Sequence, residues 1–194
     1  MKYIKILGLL AIAASAFMAF AASASATTIT SPTGTLYTGT IHAVSAGHAV
    51  LHNPIAKIEC NGTVHGASLT HGAGVTAKGS VSVAFTNCTN SWHVTVVSGG
   101  TLEVHNDTPG GGTYDGNLTS TGATVEATRF GISCRYSTSA TPVGTVTGGS
   151  TATIHINASI PFHSGSGLCG SGATLWTGGY TVKSPATGIF VDHT

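Results

Sequence analysis

Histidine is the most abundant acid–base or metal-binding side chain in this sequence, with ten copies against six acidic residues. His48 and His52 have the i, i+4 spacing of a zinc-binding helix. The residues around them favour a strand, on which four residues span about 13 Å, too far for one ion. A cross-strand site joining His93 and His105 is geometrically open. The simpler interpretation is that the histidines are outward-facing strand residues that become charged between about pH 5 and 7.

Two aspartates flank a glycine-rich segment and offer a second kind of metal site. Asp107 and Asp115 lie on either side of residues 109–112, where carboxylates and loop carbonyls suit calcium. A turn aspartate that hydrogen-bonds its own backbone explains each of them equally well. We therefore predict no cofactor and no metal, with Asp107, Asp115, His93 and His105 as weak metal candidates.

The sequence offers little to support an enzyme. Residues 165–170 match G-x-G-x-x-G, but no helix follows them and no βαβ unit surrounds them. No G-x-S-x-G elbow occurs, and no motif ties two acidic residues into a catalytic pair. We predict a protein with no catalytic residues. A hydrolase with a site assembled from distant residues is the less favoured alternative.

The aromatic residues are the candidates for ligand contact. Trp92, Trp176 and Tyr114 could line a sugar-binding platform on a sheet face. Tryptophans in disulfide-bonded β-domains more often pack against a cystine in the core. The sequence favours the core position and leaves the platform open.

The first 26 residues have the three parts of a secretory signal peptide. Lys2 and Lys5 precede an apolar run over residues 6–22, and the small residues Ala24-Ser25-Ala26 follow. The apolar run is too short for a membrane span. We predict cleavage after Ala26, a single all-β domain over 27–194, and a secreted protein that is extracellular or periplasmic.

Charge excludes two classes of partner. Removing the signal peptide leaves five basic residues against six acidic ones, and only 7% of the whole chain is charged. A basic surface for nucleic acid and a polybasic membrane tether are therefore not expected. No second apolar segment occurs near the C-terminus, so we predict no membrane span.

Alternation of apolar and polar residues indicates strands that must carry these side chains. Residues 151–160 place an apolar side chain at every even position, and residues 80–85 place one at every odd position. Further short strands are predicted at 35–41, 93–97, 101–105, 124–128 and 180–182. Gly-Gly, Pro-Gly and Asp-Gly punctuation separates them. The pattern predicts an all-β fold, an antiparallel β-sandwich or barrel.

Four cysteines in an exported chain predict two disulfides. Cys60 and Cys134 each stand in an I-x-C pattern, and each is followed by a second cysteine (Cys88, Cys169) and then a tryptophan. This repetition suggests a degenerate internal duplication with halves near 29–110 and 111–194. Spacing alone leaves three connectivities open. The duplication favours Cys60–Cys88 and Cys134–Cys169.

Several of these motifs carry a resemblance. Through residues 58–60, 71–75, 85–88 with 92–94, and 176–180, the chain resembles an uncharacterised family of secreted, disulfide-containing, Gly/Thr-rich bacterial β-proteins. It is more distantly similar to secreted activators of alkane oxidation in its signal peptide, low charge and sparse cysteines. The resemblance implies a disulfide-stapled β-fold and transfers no catalytic residue.

Together these features predict a secreted or cell-surface β-domain with a structural, matrix or adhesive role. The alternative is an extracellular binding module for a glycan or a hydrophobic ligand. Expected partners are further copies of the chain or a cell-surface glycan.

Overall fold

A computed structural model describes residues 27–72, 75–105 and 115–193, which form fifteen strands and two short 3₁₀ helices. The predicted signal peptide, residues 1–26, lies outside the described residues. The strands are β1 (Thr27–Thr30), β2 (Ile41–Ser45), β3 (Ala49–Asn53), β4 (Ala56–Gly72), β5 (Val75–Thr86), β6 (His93–Ser98), β7 (Thr101–His105), β8 (Asp115–Thr121), β9 (Thr124–Arg129), β10 (Ile132–Ser137), β11 (Thr141–Thr147), β12 (Thr153–Ile160), β13 (Phe162–Gly165), β14 (Thr174–Ser184) and β15 (Phe190–His193). The 3₁₀ helices are η1 (Thr89–Ser91) and η2 (Gly167–Cys169).

Eight strands close into an antiparallel barrel. Their order is β12-β11-β8-β7-β5-β4-β2-β14, and β14 pairs back onto β12. β3 continues the line of β2 and pairs with the same two neighbours, β4 and β14. The prediction of an all-β antiparallel fold is confirmed. Both predicted halves contribute strands to this one barrel, so they share a core.

Four barrel strands bend and continue into a second sheet. That sheet has the order β13-β10-β9-β6, which matches the order β12-β11-β8-β7 of the barrel strands that run into it. The bends lie where the chain passes between the two sheets, at residues 99–100, 122–123, 138–140 and 161. The sheet is open, and β6 and β13 form its edges.

A two-stranded ribbon covers part of the barrel core. β1 pairs with β15 in antiparallel register, from Thr27 opposite His193 to Thr30 opposite Phe190. All four residues of β1 are buried. Ile29 of β1 and Ile189, just before β15, lie against the side chains that fill the barrel. The two ends of the described chain are therefore part of the core.

The predicted alternation explains how the barrel interior fills. In β12 every even residue from Ile154 to Ile160 is buried and every odd one is exposed. Small residues leave room for the larger rings. At Gly62, for example, an added Cβ would lie only 2.8 Å from the Tyr180 hydroxyl oxygen. Tyr180 is 1% exposed as a result of this packing.

Both disulfides have the favoured pairing, Cys60–Cys88 and Cys134–Cys169. The first disulfide closes a chain loop that contains the β4–β5 hairpin, whereas the second closes a loop that contains β11, β12 and β13. The two predicted halves of the chain therefore differ in the strands that their disulfides enclose.

Both disulfides lie at one end of the molecule, together with η1, η2 and the turns at 54–55 and 130–131. We call this the cystine end. Ser166 N–H donates to Ser133 O at 2.9 Å beside one disulfide, and Glu59 N–H donates to Thr89 Oγ1 at 3.1 Å beside the other. The two groups are linked because the Arg129 guanidinium lies 5.9 Å from the Trp92 ring and a Cβ at Gly170 would lie 3.8 Å from Pro54.

Candidate binding site

The described histidine side chains lie on the surface, as the strand interpretation expects. Two are half-buried and the rest are exposed: His42, His48, His52, His65, His93, His105, His155 and His163. His42 and His65 are register partners on β2 and β4, and their rings stack with centroids 4.3 Å apart. Seven of these eight histidines lie on the outside of strands, and His48 lies in the connection between β2 and β3.

The structure separates the two histidines of the cross-strand metal candidate. His93 lies on β6 opposite Thr128 of β9, whereas His105 lies on β7 opposite Asn117 of β8. β6 and β7 do not fold back on one another, because residues 99–100 form a bend in one continuing line and not a hairpin turn. His93 and His105 thus belong to different sheets, and the idea that they share one ion is wrong.

The remaining metal candidates do not form a ligand cluster where they are described. Asp115 begins β8 opposite Thr147. Asp107 and Tyr114 lie outside the described residues. Within the described part of the chain, no three His, Cys, Asp or Glu side chains converge on a point that could hold an ion.

Both tryptophans belong to the core and not to an exposed platform. Trp92 is 5% exposed and Trp176 is 9% exposed. Trp176 makes edge contacts with Phe85 at 5.8 Å and with Tyr180 at 6.4 Å between ring centroids. A sugar cannot stack on a ring that its neighbours cover, so the platform alternative for these two residues is not supported.

The barrel interior is too tightly packed to act as a ligand pocket. It holds two apolar cavities of about 50 and 40 Å³, which have Val64, Val81, Leu102 and Ile154 in their walls. Pockets for ordinary small-molecule ligands measure roughly 300–1,000 Å³. Two larger depressions lie on the outside of the described part of the chain, and one of them is at the cystine end.

The β9–β10 hairpin at the cystine end presents an unusual residue. Arg129 pairs with Ile132, which leaves a two-residue loop of Phe130 and Gly131 with φ angles of 47° and 79°. Loops with two positive φ angles favour Asn-Gly or Asp-Gly, and a bulky residue at the first position is strained. Phe130 is nevertheless there, and 81% of it is exposed.

Arg129 lies between this phenylalanine and the core. Its guanidinium carbon is 4.7 Å from the centroid of the Phe130 ring and 5.9 Å from that of Trp92. Such stacking favours arginine, which is weakly hydrated and planar. A depression of about 360 Å³ adjoins the pair, with polar side chains from Ser91, His93 and Thr128 in its wall.

A charged pair holds the sheet beside this depression. Ser133 Oγ donates to Glu126 Oε1, and Arg135 Nε donates to the same oxygen at 3.1 Å. These two interactions, the Ser133 hydrogen bond first, lower the pKa of Glu126. The carboxylate therefore stays ionised and is neutralised by Arg135, which leaves Arg129 as the local excess charge.

Sequence reasoning did not identify Arg129 and Phe130. The signal was nonetheless visible, because Arg-Phe-Gly interrupts two alternating segments where a turn would ordinarily carry Asn-Gly. The three aromatic candidates of the sequence do not include Phe130, and of the three Trp92 contributes to this site from beneath, through its contact with Arg129.

Three findings bear on the location of the protein and on its relationship to known proteins. The disulfides are compatible with an extracellular or periplasmic location. Among the described residues, no helix has the length and apolar character needed to cross a bilayer. No protein-family model matches the sequence, and neither the curated proteins nor the solved structures show a significant match to it.

Proposed function

We propose that the protein is a secreted, non-enzymatic adhesive domain that binds an extracellular or cell-surface glycan through its cystine end. The main observation in support is Phe130, a large apolar side chain that is exposed to solvent. Its backbone has a positive φ angle, which asparagine would adopt with less strain. Strained backbone that persists at an exposed tip is typical of functional sites. The two disulfides support this end of the molecule and keep the tip in place.

A single substitution at Phe130 separates an effect on binding from an effect on folding. We expect Phe130→Asn to stabilise the hairpin by about 1 kcal/mol, since asparagine tolerates the positive φ. The same change should abolish binding, because the exposed ring is lost. Sedimentation with insoluble chitin, cellulose, peptidoglycan and whole cells of the producing strain measures binding, and thermal unfolding measures stability.

Leu36→Asn is the matched control, because it removes another exposed apolar side chain (47% exposed) outside the cystine end. It should leave binding unchanged. Wild-type protein that binds none of these surfaces, or Phe130→Asn protein that binds as well as wild type, would contradict the proposal.

A structural role through self-association is the second candidate function. It is favoured by the two open edges of the smaller sheet, β6 and β13, which can pair with another chain. Its test is the pH dependence of self-association.

A further inference from the structure

Arg129 has an unmet hydrogen-bonding need. Its Nε is buried and has no hydrogen-bond partner among the described residues, and a buried donor without an acceptor destabilises the fold. The ion pairs within the described residues join Lys57 to Glu59, Lys78 and His105 to Glu103, and Arg135 to Glu126. None of them involves Arg129, so its charge is not neutralised by a carboxylate of that part of the chain.

The surroundings of Arg129 favour an anion. Glu126 lies three residues before Arg129 on β9, and Arg135 already neutralises it at 3.1 Å. His93, in the wall of the same depression, adds positive charge when it is protonated and none otherwise. The depression therefore carries a net positive charge of about one from Arg129 at neutral pH.

The remaining wall of the depression suits a sugar better than a simple anion. An inorganic anion would satisfy Arg129 and leave the Phe130 ring in water. Arg129 covers one face of that ring, and the 81% exposure of the residue leaves other ring surface open for the C–H face of a pyranose. Hydroxyl groups of Ser91 and Thr128 and the imidazole of His93 are hydrogen-bonding groups for sugar hydroxyls.

We propose that this depression binds a carboxylate-bearing sugar residue, such as a uronic acid unit of an acidic polysaccharide. Arg129 binds the carboxylate and Phe130 stacks on the ring of the sugar. The volume of about 360 Å³ lies at the lower end of the range for small ligands, which suits one sugar unit of a longer chain. The assignment rests on the proposed adhesive function and names the ligand of that same site.

Calorimetric titration of the purified secreted protein tests the assignment. The probes are oligosaccharides of galacturonate, guluronate and hyaluronan, each compared with its methyl-esterified form, which keeps the sugar backbone and removes the charge. We expect at least one acidic oligosaccharide to bind, and its ester to bind about tenfold more weakly or worse. Equal affinity for the acid and its ester would overturn the assignment, as would displacement by sulfate at the same concentration as the oligosaccharide.

Matched arginine variants locate the site. Arg129→Gln should weaken binding about tenfold, and Arg129→Lys should recover only part of it because an ammonium group lacks the planar fork of a guanidinium. Lys183→Gln removes one exposed positive charge near the end of β14, outside the depression, and should change the affinity much less. Unfolding temperatures within a few degrees of wild type show that each variant is folded.

The outcomes distinguish this inference from the function on which it rests. If the wild-type protein adheres to an insoluble surface but does not prefer the acidic oligosaccharides to their methyl esters, the ligand assignment alone is refuted. If Arg129→Gln protein that is folded still binds the acidic sugars with wild-type affinity, the site lies elsewhere. A wild-type protein that binds neither the acidic oligosaccharides nor any insoluble surface would refute both proposals together.

Discussion

At the scale of single residues, Tyr180 shows how the barrel accommodates a polar group in its core. Its ring fits because Gly62 and Gly178 leave space beside it. Burial raises the pKa of Tyr180 to about 12, and the neighbouring Trp176 indole offsets only part of that effect. The folded protein therefore keeps the hydroxyl protonated more firmly than the unfolded chain does.

This pKa predicts an alkaline limit to stability. A raised pKa contributes stability that is fully present below the unfolded value of about 10 and is lost as pH rises toward about 12. We expect Tyr180→Phe to abolish this pH-dependent loss, because phenylalanine cannot ionise in the unfolded chain, and so to move the alkaline unfolding midpoint to higher pH. Near-ultraviolet circular dichroism between pH 9 and 12 measures it. An unchanged midpoint, with stability at pH 7 also unchanged, would show that other groups control alkaline unfolding.

At the scale of elements, the bends between the two sheets are the points where the chain passes from the barrel into the smaller sheet. At Gly99, between β6 and β7, a Cβ would lie 1.7 Å from the backbone oxygen of Val81. No side chain fits there without movement of β5 or of the bend itself. The bend thus requires glycine for a close approach of two backbones.

Substitution at this bend should be costly. We expect Gly99→Ala to destabilise the fold by about 1–3 kcal/mol, because the added methyl group overpacks a backbone contact. Gly179→Ala is the control, since a Cβ there meets nothing within 4 Å, and its cost should stay within about 1 kcal/mol. Urea unfolding of both variants compares them, and equal destabilisation would contradict the steric explanation.

Local periodicity predicted some strands well and others poorly. Residues 153–160 form β12 with the expected alternation, because one face of that strand is buried. Residues 35–40 were wrongly predicted as strand, and β2 begins only at Ile41, because their hydrophobic residues are few and Leu36 is exposed. The bent lines through residues 99–100 and 122–123 were also not predictable, since Gly-rich punctuation signals a hairpin turn and a bend in the same way. The candidate site depends on such a local detail, the identity of one turn residue, and not on periodicity.

At the scale of the whole molecule, charge and open edges together control association. The barrel has no free edge, but the smaller sheet ends in β6 and β13. Each of these edge strands carries an exposed histidine, His93 on one and His163 on the other. With few other charges on the chain, repulsion at neutral pH is slight.

Acidification should therefore disperse the protein. Imidazolium groups on two facing edges repel one another and oppose the pairing of those edges. We expect self-association near neutrality and dispersal near pH 5 at low salt, measured by light scattering between pH 8 and 5. His93→Gln with His163→Gln should weaken this response more than His155→Gln, a control on β12, which is paired on both sides. Scattering that grows on acidification would rule out edge charge as the control and remove the main support for a matrix-forming role.

The ribbon of β1 and β15 has a consequence for the order of events during synthesis. Thr27 and His193 are partners although almost the whole domain separates them along the chain. Pairing of such distant segments is slow, because the closure entropy of the intervening loop must be overcome first. The first strand of the described chain therefore has no partner strand until the last one has been made, so this ribbon can close only after every other described strand has been synthesised.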